Sequence, residues 1–143
     1  MRKKICVIDG QGGGIGSALI KKIKDVYGES VEIIALGTNA IATAQMLKAK
    51  ANRGASGENA IARTVTQVDV IAGPLSIIMA NAMMGEVTPV MAAAVTSSPA
   101  PKLLLPLNQE EVAIAGVSSL PLPHLVDELV EIHLKRYFDG VEG

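Results

Sequence analysis

The stretch KICVIDGQGGGIGSALIKKI, residues 4–23, is the clearest indication of the fold of this chain. Lys4 to Asp9 is a short apolar run, typical of a strand that is buried on both faces of a parallel sheet. A glycine-rich turn comes next. From Ile15 to Tyr27 apolar residues recur at helical spacing, and Gly28 is suited to end that helix in a left-handed conformation. The stretch therefore predicts a strand, a tight loop and a helix in direct succession.

The rest of the 143-residue chain continues this alternation. It predicts further strands at 31–36, 68–72, 102–105 and 112–117, and helices at 40–50, 58–66, 75–84, 88–97 and 121–138. The small residues at 51–57 indicate a loop. Only six residues, 106–111, separate the last two predicted strands. That is too short for a parallel crossover, so we expect an antiparallel pair there.

Strands that alternate with helices are typical of an α/β protein with helices on both faces of a mainly parallel sheet. We predict a three-layer Rossmann-like sandwich whose sheet has about five strands, one of them an antiparallel edge strand. The length suits a single domain over residues 1–143.

Composition and charge exclude several functions. Hydrophobic residues make up 49% of the chain and charged residues 19%, so the chain can bury a core and is not expected to be disordered. The net charge is −1, and the aromatic residues are two tyrosines and one phenylalanine. Nucleic acid is therefore not an expected partner, since it needs basic and stacking side chains. The single cysteine, Cys6, excludes an internal disulfide and a multi-cysteine metal site.

A membrane is not an expected partner either. The apolar run near the start stops at Asp9, which is far short of a secretion signal. The uncharged stretch from Val70 to Gly85 is shorter than the ~20 residues that cross a bilayer. We therefore expect a cytoplasmic protein.

The loop Gly10–Gly16 predicts binding of a phosphate. It lies between a strand and a helix, where glycines let a ligand approach the backbone and the free N–H groups and helix dipole face an anion. Its spacing meets the G-x-G-x-x-G dinucleotide fingerprint in part, with Ser17 in place of the third glycine. Its spacing also resembles the G-x-x-x-G-I-G cofactor loop of short-chain dehydrogenases. The expected ligand is a nucleotide, with NAD or NADP as examples, or another phosphorylated small molecule.

Other segments should lie beside this loop, because ligands of open α/β sheets bind beyond the carboxyl ends of the strands. We expect residues 37–39, 73–74 and 106–109 at that edge. The predicted ligand-binding residues are Gly10, Gln11, Gly12, Gly13, Gly14, Ile15, Gly16, Gly37, Thr38, Asn39, Gly73 and Pro74. The amides of residues 12–15 are expected to hold the phosphate.

Two departures from dehydrogenases leave the cofactor and any reaction open. An acid at the end of the second strand normally holds the adenosine ribose, whereas residues 36–39, Leu-Gly-Thr-Asn, offer only a hydroxyl and an amide. The catalytic Tyr-x-x-x-Lys pair is also missing, since Tyr27 and Tyr137 are each followed four residues later by valine. Thr38 or Asn39 can bond a sugar, but neither selects NAD over NADP.

Asp9 and Glu58 are the candidate acid–base residues if the protein is an enzyme acting on a phosphorylated metabolite. Asp9 adjoins the loop, and we favour a role in which its carboxylate accepts loop N–H bonds over Mg²⁺ binding or proton transfer. Glu58 belongs to a segment that can fold over the same edge, although it also suits the first turn of a helix. No histidine, cysteine and acid cluster has metal-ligand spacing, so we predict no metal site.

The two middle helices, 75–84 and 88–97, are rich in methionine and almost without a polar face. Helices that are apolar all round are buried, and methionine adapts to irregular contacts. We therefore expect a homo-oligomer, a dimer, that forms through these helices. A third interpretation of the function follows, in which the chain is a non-catalytic assembly or regulatory subunit.

Three motifs carry a resemblance to a known family. IDGQGGGIG at 8–16, LGTNAIAT at 36–43 and GASGENAI at 54–61 are similar to the bacterial domain-of-unknown-function family 3842. The likeness covers essentially the whole chain. It implies a small Rossmann-like domain and no established activity.

Overall fold

The computed structural model describes residues 2–117 and 119–138, and in them five strands form one sheet. The strands are β1 (Lys3–Asp9), β2 (Val31–Gly37), β3 (Arg53–Ser56), β4 (Val70–Pro74) and β5 (Lys102–Leu105). The helices are α1 (Gly14–Tyr27), α2 (Ala40–Lys48), α3 (Glu58–Thr64), α4 (Pro89–Ser97), α5 (Leu122–Glu128) and α6 (Lys135–Phe138). A π-helical turn, Leu129–Leu134, joins α5 to α6.

The strand order is β3-β2-β1-β4-β5, and every pair is parallel. This is the order of the doubly wound nucleotide-binding folds, in which the chain builds outward from β1 in one direction and then in the other. The reversal lies between β1 and β4. Such a switch point opens a crevice at the carboxyl ends of the strands, because the loops after β1 and β4 diverge to opposite faces.

Two apolar cores cover the two faces of the sheet, as the buried pattern of β1 predicts. Ile5 and Val7 join a core with α1, α2 and α5, whereas Cys6 and Ile8 join a core with α3 and α4. Alternate side chains of a strand point to opposite faces, so a strand covered on both sides must be apolar throughout. Burial also raises the pKa of the Cys6 thiol, which keeps it protonated.

The predicted antiparallel edge strand at 112–117 is wrong. β5 is followed by an irregular segment, and the sheet among the described residues is parallel throughout. Gly116 has a φ of 85°, which a regular strand does not accommodate. Val112, Ile114 and Val117 are between 42% and 46% exposed, because the alanines and glycine between them give no face broad enough to bury.

The loop predicted at 51–57 contains a strand instead. Arg53–Ser56 pairs with β2 in parallel, with Ile34 opposite Arg53. The sequence Arg-Gly-Ala-Ser has little preference for a strand, so the sequence pattern did not indicate one. The strand exists because β2 offers an unpaired edge, which Gly54 can approach closely where Thr43 and Leu47 of α2 pack above it.

The predicted helix at 75–84 is also wrong. Leu75–Ile78 forms one 3₁₀ turn, and residues 79–87 form a compact loop that the N–H of Asn81 closes by donating to the carbonyl of Val87 at 2.7 Å. Four residues of this 79–87 loop have positive φ: Asn81 (69°), Met83 (57°), Met84 (57°) and Gly85 (91°). The apolar pattern predicted the burial of Ile77 and Ala82 correctly but not that of Met84, which is 96% exposed. Tertiary packing rather than helical period decides the backbone here.

The other predicted helices form, within a few residues of their expected ends. Asn39 caps α2, because its side-chain oxygen accepts the N–H of Ala42, and Thr88 caps α4 in the same way through Met91. No helix in the described part of the chain combines the length and the apolar character needed to cross a membrane.

Candidate functional site

The loop between β1 and α1 is a tight turn built on its own backbone. The N–H of Gly13 donates to the carbonyl of Gly10 at 2.9 Å, and the N–H of Ser17 donates to the carbonyl of Gly13 at the start of α1. Gly13 has a φ of 74°, and a Cβ there would lie 2.8 Å from the carbonyl oxygen of Ala42. Glycine is therefore required at this position for both conformation and space.

The carboxylate of Asp9 binds the backbone of this loop at both of its ends. Its Oδ1 accepts the N–H of Gly10 and its Oδ2 accepts the N–H of Gly16, both at 2.7 Å. Burial raises the pKa of the Asp9 carboxyl, and the nearby Glu86 raises it further, although N–H bonds from the loop, including that of Ile15, oppose the rise. The carboxylate is thus 3% exposed, tied to the amides of the loop and easier to protonate than an ordinary aspartate.

Two glycines of the loop, Gly12 and Gly14, border open space. An added Cβ on either would meet no heavy atom within 4 Å, and neither has a positive φ. Among the described residues, no hydrogen bond uses the N–H of Gly12 or Gly14. Because Gly14 begins α1, these free donors lie at the positive end of a 14-residue helix.

Gly16 has a different task from these two. A Cβ on Gly16 would lie 2.5 Å from the Sδ of Met46 and 3.0 Å from the Cβ of Asp9. Close packing of the first helix on the strand is the task of the third glycine in the dinucleotide fingerprint. In this chain Gly16 allows that close packing, one residue before Ser17, the position that the fingerprint spacing indicates.

A cavity of about 470 Å³ lies over the open glycines. Its lining comes from the β1–α1 loop, from the segment after β4 and from the segment after β5, so it occupies the switch point of the sheet. The described lining residues are Asp9, Gly10, Gln11, Gly12, Gly14, Ile15, Ser76, Met83, Leu107, Asn108, Gln109, Glu110 and Leu122. The segment 106–109, expected at this edge, thus supplies three of them.

The ionisable side chains that line the cavity are acidic. Its lining contains the carboxyl groups of Asp9 and Glu110, and no lysine or arginine among the described residues. A side-chain oxygen of Glu110 accepts the N–H of Met83 at 3.4 Å. Any anion in the cavity would therefore rely on backbone N–H groups and the helix dipole rather than on basic side chains.

Glu86 of the 79–87 loop reaches the other side of the β1–α1 loop. Its Oε1 accepts three hydrogen bonds, from the N–H of Gln11 at 2.8 Å, the Oγ1 of Thr38 at 2.7 Å and the Nδ2 of Asn39 at 2.9 Å. Met83 packs beside it, since its Sδ lies 2.5 Å from where a Cβ of Gly10 would be. Glu86 is not among the residues predicted for the site, although its lone position as a charged residue in an apolar stretch is a signal that could have found it.

The hydrogen bonds of Glu86 set its ionisation. Partial burial works to raise the pKa of this carboxyl, but the bonds from Gln11, Thr38 and Asn39 outweigh it, so the pKa of Glu86 lies below its usual range. The group is an anion at neutral pH.

Several predicted ligand-binding residues lie away from the cavity lining. Gly37 and Gly73 are buried, and a Cβ on Gly73 would collide with the carbonyl oxygen of Ile8, so close packing explains both glycines. Pro74 is buried as well, while Thr38 and Asn39 bond Glu86. The structure thus gathers residues 10–12, 14 and 15 at the cavity and leaves Gly13, Gly16, Gly37, Thr38, Asn39, Gly73 and Pro74 outside its lining.

Glu58, the second candidate acid–base residue, also lies outside the cavity lining. It begins α3, and its Oε2 accepts the hydroxyl of Thr88 at 2.6 Å. Among the described residues, no group of three or more histidine, cysteine, aspartate or glutamate side chains is arranged to hold a metal ion.

Comparison with known proteins gives a family and no activity. The sequence model of a family described as a domain of unknown function (DUF3842) matches residues 4–138. No curated protein matches the sequence. The resemblance carried by the three sequence motifs is therefore confirmed over nearly the whole chain.

Proposed function

The chain belongs to the DUF3842 family, and we propose that it binds a nucleotide, or another phosphorylated small molecule, in the cavity over Gly12 and Gly14. The observation that carries this proposal is the pair of N–H groups without an internal partner at the start of α1, on two glycines that line the cavity and have open space where a Cβ would lie. Donors of this kind at a helix N-terminus favour a phosphate.

The position and size of the cavity support the proposal. Doubly wound folds bind their ligands at the switch point, and here that point lies between β1 and β4. The volume of about 470 Å³ is within the range of small-molecule and cofactor sites. The mixed lining, which contains Leu107 and Leu122 as well as polar loop groups, suits a ligand that has both an apolar and a polar part.

The charges favour one kind of phosphate. A terminal phosphate carries nearly two negative charges at neutral pH, which Asp9 and Glu110 would repel. A phosphate linked on both sides carries one charge, which two N–H groups and a helix dipole can meet. We therefore expect bridged diphosphates, such as those of NAD or NADP, to bind more tightly than nucleoside triphosphates.

A thermal-shift screen with NAD, NADP, ATP, coenzyme A and sugar phosphates tests the proposal. A ligand at 100 times its Kd adds ~2.7 kcal/mol of stability, which for a chain of this length raises Tm by about 5–10 °C. We expect such a shift with at least one bridged diphosphate. No shift with any of them at millimolar concentration would contradict the proposal.

Catalysis by Asp9 is a second candidate function, and one observation favours it. Asp9 lines the cavity with a raised pKa, and perturbed carboxyls in cavities are typical of acid–base residues. Mass spectrometry of any bound ligand after incubation with wild type and Asp9→Asn would test it. We expect turnover by wild type alone, and equal turnover by the variant would remove Asp9 from the reaction.

We also propose a cytoplasmic homodimer that forms through residues 75–84 and residues 88–97, the second of which contain α4. Val90 is 52% exposed and Met84 is 96% exposed on these neighbouring segments, and apolar side chains of this kind favour a subunit contact. Light scattering should give twice the chain mass for wild type and the chain mass for Met84→Glu. A monomeric wild type would contradict a dimer, and with it a role as an assembly subunit.

A further inference from the structure

The end of β2 lacks the acid that doubly wound folds use to hold a ribose. Gly37 ends the strand, and Thr38 and Asn39 follow with a hydroxyl and an amide. In dinucleotide sites a carboxylate at this place accepts the ribose hydroxyls. A site that binds nucleotides here would need that carboxylate from another part of the chain.

The 79–87 loop supplies a carboxylate at this place. Both side chains that follow β2, Thr38 and Asn39, donate to Oε1 of Glu86, as does the N–H of Gln11 in the β1–α1 loop. The carboxylate therefore bridges the end of β2 and the β1–α1 loop, which are the two elements that flank the nucleoside in such folds.

The backbone of the 79–87 loop is unusual in a way that fits a functional task. Met83 and Met84 both have a φ of 57°, in a region that residues other than glycine, asparagine and aspartate rarely adopt. Conformations of this kind cluster at binding and catalytic sites, where the surrounding structure holds them. Here they direct Glu86 towards Gln11 and the end of β2.

One oxygen of Glu86 remains available. All three hydrogen bonds use Oε1, and no group in the described part of the chain donates to Oε2. We propose that Glu86 is the ribose-binding residue of the site: its Oε2 accepts a hydroxyl of the ligand's ribose, so the site selects ribonucleotides with a free 2′-hydroxyl. The inference rests on the proposed function, because it assumes that a nucleotide occupies the cavity. Glu86 lies outside the cavity lining, on the β2 side of the β1–α1 loop, so the ribose must extend over that loop to reach Oε2.

The distances within the loop suit this assignment. Gln11, which bonds Glu86 at 2.8 Å, directly precedes Gly12, whose N–H is free. One residue spans ~3.8 Å, so Oε1 of Glu86 lies at most about 7 Å from the N of Gly12, and Oε2 of the same carboxylate at most about 9 Å from it. A single ribose 5′-phosphate bridges such a span, with its phosphate on the amide and its 2′-hydroxyl on the carboxylate. A 2′-phosphate would meet the charge of Glu86 and be repelled.

The test compares ligands that differ only at the 2′ position. Calorimetric titration uses NAD, its adenosine 2′-deoxy analogue and NADP, and also UDP-glucose with its 2′-deoxy analogue, on wild type and Glu86→Gln. Glutamine keeps an oxygen for Gln11, Thr38 and Asn39 but replaces the free acceptor with a donor. Glu29→Gln is the matched control, since Glu29 lies before β2 at the opposite end of the sheet, paired with Lys24.

We expect wild type and the control to bind one parent ligand at least about tenfold more tightly than its 2′-deoxy form, and NAD more tightly than NADP. In Glu86→Gln both preferences should fall below about threefold. If the ligand binds but Glu86→Gln leaves the preference unchanged, or if wild type has none, Glu86 is not the ribose residue and the proposed function stands. If neither NAD nor UDP-glucose binds wild type, the Glu86 assignment and the proposed bridged-diphosphate ligand both fall.

Discussion

The two sides of the β1–α1 loop differ in what covers them. On the β2 side, Met83 and Glu86 lie directly over Gly10, and Thr38 and Asn39 complete a set of internal hydrogen bonds. On the β4 side, Gly12 and Gly14 border a cavity of about 470 Å³. One short glycine motif therefore packs against protein on one side and leaves its backbone accessible on the other.

A glycine that follows a strand at the edge of a sheet can therefore be required by packing or be free to bind a ligand. Gly37 and Gly73 follow strands, as ligand-site glycines do, yet a Cβ on either would collide with backbone atoms. Gly12 and Gly14 have room for a side chain and a φ that permits one. Packing therefore explains the first pair, whereas the second pair has no structural requirement for glycine and invites a functional explanation.

The largest expected effect is on the packed side, in Gly37→Ala. Its Cβ would lie 2.6 Å from the carbonyl oxygen of Asn39 and 2.8 Å from the N of Thr43, and backbone atoms cannot move aside cheaply. We expect a loss of about 3 kcal/mol or more in unfolding free energy, measured by urea denaturation. A loss below about 1 kcal/mol would show that α2 can shift to accept the methyl group. It would contradict the distinction between closely packed and open glycines.

A smaller effect is expected from Glu86→Ala, which removes the acceptor of three donors. Because Glu86 is partly exposed and water can replace it, we expect a loss of about 1–2 kcal/mol. The same denaturation experiment measures it, with Glu29→Ala as the control for an exposed ion pair, whose removal should cost less. Equal losses in the two variants would mean that the hydrogen bonds of Glu86 add no more to stability than an exposed ion pair does.

The stability contributed by Glu86 should depend on pH. Its pKa is lower in the folded chain than its ordinary value, so the folded state binds the proton less tightly than the unfolded state. The contribution is therefore complete above the unfolded pKa and is lost as the pH falls through the folded one. Wild type should lose its advantage over Glu86→Gln as the pH falls below about 4.5. A constant difference between pH 7 and pH 3 would contradict the assigned direction.

The smallest effect on stability is expected on the open side. Gly12→Ala and Gly14→Ala add a methyl group where nothing lies within 4 Å, and neither position has a positive φ. We expect changes within about 0.5 kcal/mol, with Gly14→Ala neutral or slightly stabilising because alanine favours a helix. Thermal unfolding followed by circular dichroism measures both. A loss as large as that of Gly37→Ala would mean that these glycines are structural too.

The sequence predicts those parts of the fold that local patterns determine. The apolar run of β1, the period of α1 and the caps Asn39 and Thr88 are local signals, and the structure contains all of these elements. β3 and the 79–87 loop depend instead on partners distant in the chain, the free edge of β2 and the apolar core beneath α4. The predicted antiparallel strand at 112–117 does not form for a related reason. Its apolar residues alternate with alanines and a glycine, which are too small to give a strand an apolar face that can be buried.

The residues of the candidate site also fall into those that local sequence patterns predict and those that depend on contacts distant in the chain. The loop after β1 and the segment 106–109 follow from the rule that ligands lie beyond strand ends, and both border the cavity. Glu86 could not be placed, because its approach to Gln11 depends on the left-handed residues of the 79–87 loop. Neither could the tasks of the individual glycines be assigned, since those depend on what packs above each one.

The two open glycines, Gly12 and Gly14, should be required for binding of a bridged diphosphate. NAD and UDP-glucose would be titrated calorimetrically against wild type, Gly12→Ala and Gly14→Ala, all with matching unfolding temperatures. We predict that wild type binds one of the two ligands and that each variant loses at least about tenfold in affinity, because the methyl group keeps the phosphate from the N–H donors. Unchanged affinity in both variants would contradict the claim that these amides hold the ligand.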